Sequence, residues 1–336
     1  MSEEFHDDLV EPGATGVPER FFDRFMFNLH PTWETAPSVI TGFGHYPAKD
    51  VADGFAIVTT DTEQRNVRFS TELSATGGRG AGPLRFEVLE PNRAWRLRLA
   101  PNPTGMEYDV IWRARTPYWL GDVAVNNADA ATTDFEHLVQ SGRYEGTLLL
   151  DGEVHRVNGW YGQRDRSRGV RNLSGGQGMH AWFQAQFPDR SVSLLLVEDR
   201  GGGRLLLEGA VLHEHGVLDA VVDVRHDLRF DGLDLRDGTV EVVTKRGTTY
   251  LIDVDATAGG GFMAGGGYGG HHGRRMGRDH LEHDTYPLDG SVHQRTLDSP
   301  LTDRLASYRW NGVRGTGIFE FALSRSTSYT YRPTLA

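Results

Sequence analysis

The chain has 336 residues, 38% hydrophobic and 24% charged, a globular balance spread over more length than one core usually organises. Its formal charge of −11 argues against general affinity for nucleic acid or anionic membrane, and no zinc-finger, recognition-helix or RNA-binding pattern is present. The lack of cysteine excludes disulfides, thiolate metal sites and cysteine nucleophiles.

Residues 1–18 read as a flexible N-terminal arm. The acidic start, Met1 to Pro12, has no basic-then-apolar leader, and no run reaches the roughly 18 apolar residues of a membrane span, so a cytoplasmic protein is expected. The aromatic cluster Phe21–Leu29 suggests a short helix that Pro31 would stop. Antiparallel grammar follows. Phe86, Val88, Trp95, Leu97 and Leu99 alternate with polar residues around Pro91-Asn92. Apolar runs flank Asp151-Gly152, the glycines at 201–203, and Arg246-Gly247, where positive φ is readily adopted. These hairpins, with little helical periodicity, predict an all-β sandwich or barrel class. The segment 258–277 holds ten glycines among Phe262, Tyr268, His271 and His272. Glycine at that density predicts a long flexible loop, with an aromatic lid over a ligand as the alternative.

The stretch Gly159–Arg171 is unlike the rest. Two aromatics, four arginines, one aspartate and three glycines occupy its positions, which suggests tight turns and close approach of one sheet to another. Asp165 has arginines on both sides, so its carboxylate is expected to be ionised and fork-bonded by Arg164 or Arg168. Two readings remain open: an Arg–Asp network joining two domains, or a surface facing a ligand.

The run Trp160-Tyr-Gly-Gln-Arg-Asp-Arg-Ser-Arg-Gly-Val-Arg171 resembles a signature of actinobacterial and proteobacterial proteins. That group is related to the AttH-like and carotenoid 1,2-hydratase (hydroxyneurosporene synthase) lipocalin-like superfamily. Gly142-Arg-Tyr-Glu-Gly146 and Trp310 to Phe321 support the likeness, which covers about Phe21 to Ser324. The chain departs from the pattern at Arg166 and Arg168, where His and Trp are common, so charge replaces an aromatic wall. The resemblance implies two tandem lipocalin-like antiparallel β-barrels, with domains at 19–160 and 161–336, the second carrying the Gly-rich loop 258–277. It also implies chemistry on apolar terpenoid-, steroid- or polyketide-like molecules. Hydration of an alkene would need a protonated carboxyl in an apolar pocket, a role for which Asp165 between arginines is poorly suited.

His180, Trp182 and Gln184 share one strand face, and His180 is the best acid–base candidate because imidazole titrates near neutrality. Trp33, His45 and Tyr46 could contribute in the first half. His271, His272, His280 and His283 read as solvated loop histidines rather than metal ligands, and His213-Glu214-His215 lacks a second cluster at metal-site spacing. With no phosphate loop or βαβ unit, no cofactor and no metal are expected. The reading is therefore a protein that binds an apolar small molecule inside its barrels and converts it by hydration, isomerisation or cyclisation. Asp165, His180 and Tyr161 are the catalytic candidates; Trp160, Arg164, Arg168 and Trp182 are the ligand-binding ones. A non-catalytic carrier or sensor of a lipophilic ligand is the alternative.

Overall fold

The computed structural model describes residues 6–32, 37–76, 80–126, 132–171 and 177–335; Trp33 lies outside them. The first half supplies β1 (Phe21–Leu29), β2 (Ser38–Tyr46), β3 (Val51–Thr59), β4 (Glu63–Glu72), β5 (Gly80–Ala81), β6 (Leu84–Glu90) and β7 (Ala94–Leu99). It continues with β8 (Met106–Ala114), β9 (Trp119–Asn126), β10 (Thr132–Leu150) and β11 (Glu153–Val170). The second half supplies β12 (Gln177–Phe187), β13 (Arg190–Asp199), β14 (Arg204–His213), β15 (Leu218–Asp231), β16 (Asp234–Thr244) and β17 (Thr249–Asp255). β18 (Gly260–Phe262), β19 (His280–Pro287), β20 (Thr302–Trp310) and β21 (Val313–Leu323) complete it.

The all-β class is what the sequence indicated, and every hairpin named above forms. Asp151 and Gly152 both take positive φ, 51° and 83°, and so turn β10 directly into β11. The expected helix at Phe21–Leu29 is instead strand β1. Its alternation suits a sheet with two buried faces, and pairing with β2 and β11 supplies backbone partners that override local preference.

Strand pairing makes two sheets. A 12-stranded sheet runs β19-β4-β3-β2-β1-β11-β10-β8-β7-β6-β5, with β9 also on β10, and curls into a half-barrel. The second closes: β12 through β17 are followed by β20 and β21, with β17 pairing β20 and β21 returning to β12. The chain passes between the sheets after Val170, and β19 then pairs β4 at the far edge of the first.

Side chains fill both concave interiors. In the first, Phe25, Phe43, Phe86 and Trp95 stack with ring centroids 3.8–6.4 Å apart. The closed barrel is packed by Phe183, Phe319, Tyr308 and their neighbours, leaving a void of only about 10 Å³. That is about the least a single water needs. Among the described residues, the closed barrel is thus filled by side chains where an apolar compartment was expected.

Residues 6–10 of the N-terminal arm lie against the concave side of the first sheet. Asp7, 2% exposed, pairs with the fully buried Arg164 and accepts from the Trp95 indole at 3.3 Å. Arg166 grips Asp23 with two bonds of 2.9 Å and also donates to the His6 and Asp8 carbonyls. The arm is tied down by buried charge, which hydrophobic patterning does not reveal.

The Gly-rich segment is also packed. β18 pairs β20 at an edge of the second sheet, and the turn after it packs on β3 and β4 of the first, with Gly261, Gly265 and Gly266 buried. A Cβ on Gly265 would stand 2.0 Å from the Asn66 side-chain oxygen, so only glycine lets this backbone approach β4. Glycine here serves close contact between layers rather than freedom.

Replacing Asp7 by Ala should leave the Arg164 guanidinium buried without its carboxylate, costing about 3–5 kcal/mol in urea unfolding. A loss below about 1 kcal/mol would mean the arm is not an integral part of the first domain.

Candidate functional site

Period-two alternation decides what faces the gap between the sheets. On β1, Phe25 and Phe27 point into the first sheet's concavity, leaving Arg24 and Met26 on the opposite face. On β21, Phe319 and Phe321 fill the barrel, leaving Ile318 and Glu320 outside. The two outer faces meet in an apolar cluster built from Met26, Ile40, Phe55, Val139, Trp182 and Ile318, among others. Charged groups are set into this cluster.

Three of the sequence-derived candidates lie on these facing surfaces: Asp165, His180 and Trp182. Trp160 and Arg164 belong to the opposite, concave side of the first sheet. Arg168, 42% exposed, lies 3.9 Å from Asp23. Tyr161 is roughly 13 Å along the strand from Asp165. There its ring sits under Arg115 and Arg143, both of which pair with Glu214 in the turn between β14 and β15. The structure therefore gives Tyr161 a place in a cation–π bridge between the sheets.

Asp165 is not clamped by its neighbouring arginines, as the sequence suggested. Successive residues on a strand point to opposite faces, so Arg164 and Arg166 turn inward to Asp7 and Asp23. Asp165 meets His137 Nε2 at 2.5 Å, and His137 Nδ1 contacts Glu208 of the second sheet. Glu208 also accepts from the Trp119 indole at 2.6 Å. Burial works against a charge on His137, but Glu208 and Asp165 outweigh it and push its pKa up to about 10. The imidazolium thus donates to a carboxylate on each sheet, tying the domains together.

A second group lies on the second sheet alone. Asp303 and Glu320 face each other across β20 and β21, and Glu320 accepts from or donates to His180 Nε2 at 3.1 Å, according to protonation. Burial, then the negative charge of Glu320, holds the Asp303 carboxyl well above the usual carboxylate range. Asp303 therefore holds its proton more tightly than a solvated carboxyl does. Its Oδ1 has no hydrogen-bond partner.

Two arginines and a tyrosine join the groups electrically. Arg24 lies 4.8 Å from the Tyr268 ring centroid, and Arg171 lies 4.4 Å from that of Phe135. Burial, then repulsion from Arg24, lowers the Arg171 pKa, while Asp165 and Glu320 both act to raise it. Burial first, aided by Glu320 and Asp165, pushes the Tyr268 phenol up to about 12. Among the described residues, no group of three or more His, Asp or Glu could hold a metal ion.

Sequence reasoning missed His137, Glu208, Asp303 and Arg24. A usable signal existed for Asp303 and Glu320, since each is a lone carboxyl on a strand face otherwise carrying Leu305 or Ile318. His137 and Glu208, 71 residues apart, carried no local pattern.

Two β domains packed back to back over buried ionisable groups define a tandem lipocalin-like protein. Its structure is similar to an AttH protein of Nitrosomonas europaea, at TM-score 0.59 and 11% identity, over 93% of this chain and 99% of that one. It is also similar to kievitone hydratase of Nectria haematococca, at TM-score 0.54 and 12% identity, over 94% and 96% of the two chains. The chain belongs to DUF8625, a family of unknown function whose sequence model matches residues 12–330. No curated protein matches its sequence. No helix among the described residues is long and apolar enough to cross a membrane.

The His137 bridge sets a pH dependence. Its folded pKa is raised above the ordinary 6.5, so its contribution is complete below that pH and is lost as pH climbs through about 10. Unfolding free energy should fall across this window by up to about 1.4 kcal/mol per pH unit, measured by urea titration. His137→Gln should flatten that slope; an identical slope in the variant would remove the bridge from the account.

Proposed function

We propose that this protein is a cofactor-independent acid–base catalyst that hydrates, isomerises or cyclises a lipophilic small molecule between its two β domains. The observation that carries the proposal is the buried Asp303–Glu320 pair, two carboxyls facing each other across β20 and β21 beside an imidazole, where burial raises the Asp303 pKa. Protonating an alkene or a conjugated carbonyl needs such an acid, because a solvated carboxyl has already lost its proton at pH 7.

Each residue then has a role. Asp303 delivers the proton, and Glu320, joined to His180, restores it. His180 is 21% exposed and gives the pair a path to solvent. Trp182, on the same face as His180, offers an aromatic surface to a developing cation. Asp165 acts indirectly, through His137, to fix the spacing of the sheets and to add negative potential. Tyr161 holds the edge of the interface through its arginines. Capture of the cation by water, followed by loss of a proton to Glu320, gives hydration; proton loss elsewhere gives an isomer; capture by a second double bond closes a ring and leaves a new cation, which gives up a proton to Glu320. The likeness of fold to a hydratase agrees with this range of outcomes and does not choose among them.

The test is mass spectrometry of small molecules retained by the purified protein, followed over time in water labelled with oxygen-18. Asp303→Asn should slow conversion by about 10²–10⁴-fold while leaving the unfolding temperature and ligand retention intact. Uptake of one labelled water identifies hydration, and conversion without label identifies isomerisation or ring closure. A ligand held unchanged for hours by wild type and variant alike would replace catalysis with a carrier role.

A further inference from the structure

Catalysis between the sheets requires a way in, and a surface cleft reaches His272, whose ring touches Phe55 of the interface. The cleft has a volume of about 610 Å³, within the range of small-molecule sites, and is lined by Lys49, Arg274, Arg275, His272 and Glu19, among others. Three permanent cations face one carboxylate there, on a chain whose net charge is −11. Lys49 and Arg274 have no ion-pair partner among the described residues. Arg275 Nε donates to the Lys49 carbonyl at 2.7 Å, which links the two cationic segments.

The lining is held firmly. The Gly273 amide donates to Asp53 Oδ2 at 2.7 Å, with φ of +68°, and a Cβ there would come within 2.7 Å of the Tyr46 ring. Only glycine makes this turn and this contact together. His272 forms part of the cleft wall and is also a wall of the interface. Its ring lies 5.0 Å from Tyr268 and 5.6 Å from Phe55, and Tyr268 in turn covers Arg24. Burial lowers the His272 pKa, so at neutral pH it presents an uncharged ring on this path. Its Nδ1 lies 3.5 Å from Asp53 Oδ1, too far and too poorly aligned for a full hydrogen bond, and its Nε2 has no hydrogen-bond partner. Behind the cationic lining, His272 is thus in ring contact with Tyr268 and Phe55.

We propose that this cleft binds an amphiphile with an anionic head group, phosphate or carboxylate. Its head would rest on Lys49, Arg274 and Arg275, and its apolar body would pass His272 toward Tyr268 and Phe55. The inference deepens the proposed function by naming the polar end of the substrate, and it rests on that reading only for the fate of the apolar body.

Calorimetric titration with inorganic phosphate and with dodecyl phosphate, below its micelle concentration, tests both halves. Phosphate should bind weakly but saturably, and dodecyl phosphate at least about tenfold tighter. Replacing all three cations (Lys49→Gln, Arg274→Gln, Arg275→Gln) should weaken both by about tenfold or more at an unchanged unfolding temperature. No saturable phosphate response in wild type, or equal binding by the triple variant, overturns the anion site. Equal affinity for phosphate and dodecyl phosphate overturns the passage for the apolar body. Because Asp303→Asn leaves this cleft untouched, loss of the catalytic reading and loss of the anion site give different results in the same pair of variants.

Discussion

The molecule depends on two sheets meeting through their outer faces instead of enclosing a common core. Each sheet already has a filled concave side, so it must bury its convex side a second time, against the other. Apolar residues supply most of that contact. His137, held between Asp165 on its own sheet and Glu208 on the opposite one, fixes the relative position of the layers. An ion bridge this deep costs desolvation on every member, so its value lies in specifying one alignment among many greasy ones. The Ser141 and Ser191 hydroxyls, 2.7 Å apart, make a further polar contact across the same gap.

That arrangement explains why ionisable side chains gather where little water reaches. A strand with one face in a barrel and the other against a neighbouring sheet has no solvated side on which to place charge. Asp303 and Glu320 therefore share a site in which burial and mutual repulsion raise the Asp303 pKa. Arg24 and Arg171 are met by aromatic rings, which accept a guanidinium without bringing another desolvated charge. The chemistry proposed for the interface follows from this scarcity of solvent.

Fold class was legible because its signals are local. Asp151-Gly152 and Arg246-Gly247 announce hairpins within a few residues, and alternation such as Phe86 to Leu99 marks strands directly. Phe21–Leu29 misled because nine residues rich in phenylalanine fit either element, and distant partners made the choice. The arginine-rich stretch was recognised as unusual, yet its pairing was misassigned. Neighbours in sequence on a strand are strangers in space, so Asp165 found His137 while Arg164 found Asp7. The glycine run was misjudged for a related reason. Composition records that a segment is small and supple, and only the closed structure records that Asn66 and Phe55 press on it.

β19 adds a constraint of timing. The free edge of β4 is covered by residues His280–Pro287, made only when most of the chain has left the ribosome. Until then the first half displays an unpaired edge strand, the feature through which β proteins most readily join to the wrong partner. The late strand acts as a latch that the second half carries back to the first. Neither half is then a complete unit of inheritance: a gene cut between the sheets would part the first from its own border.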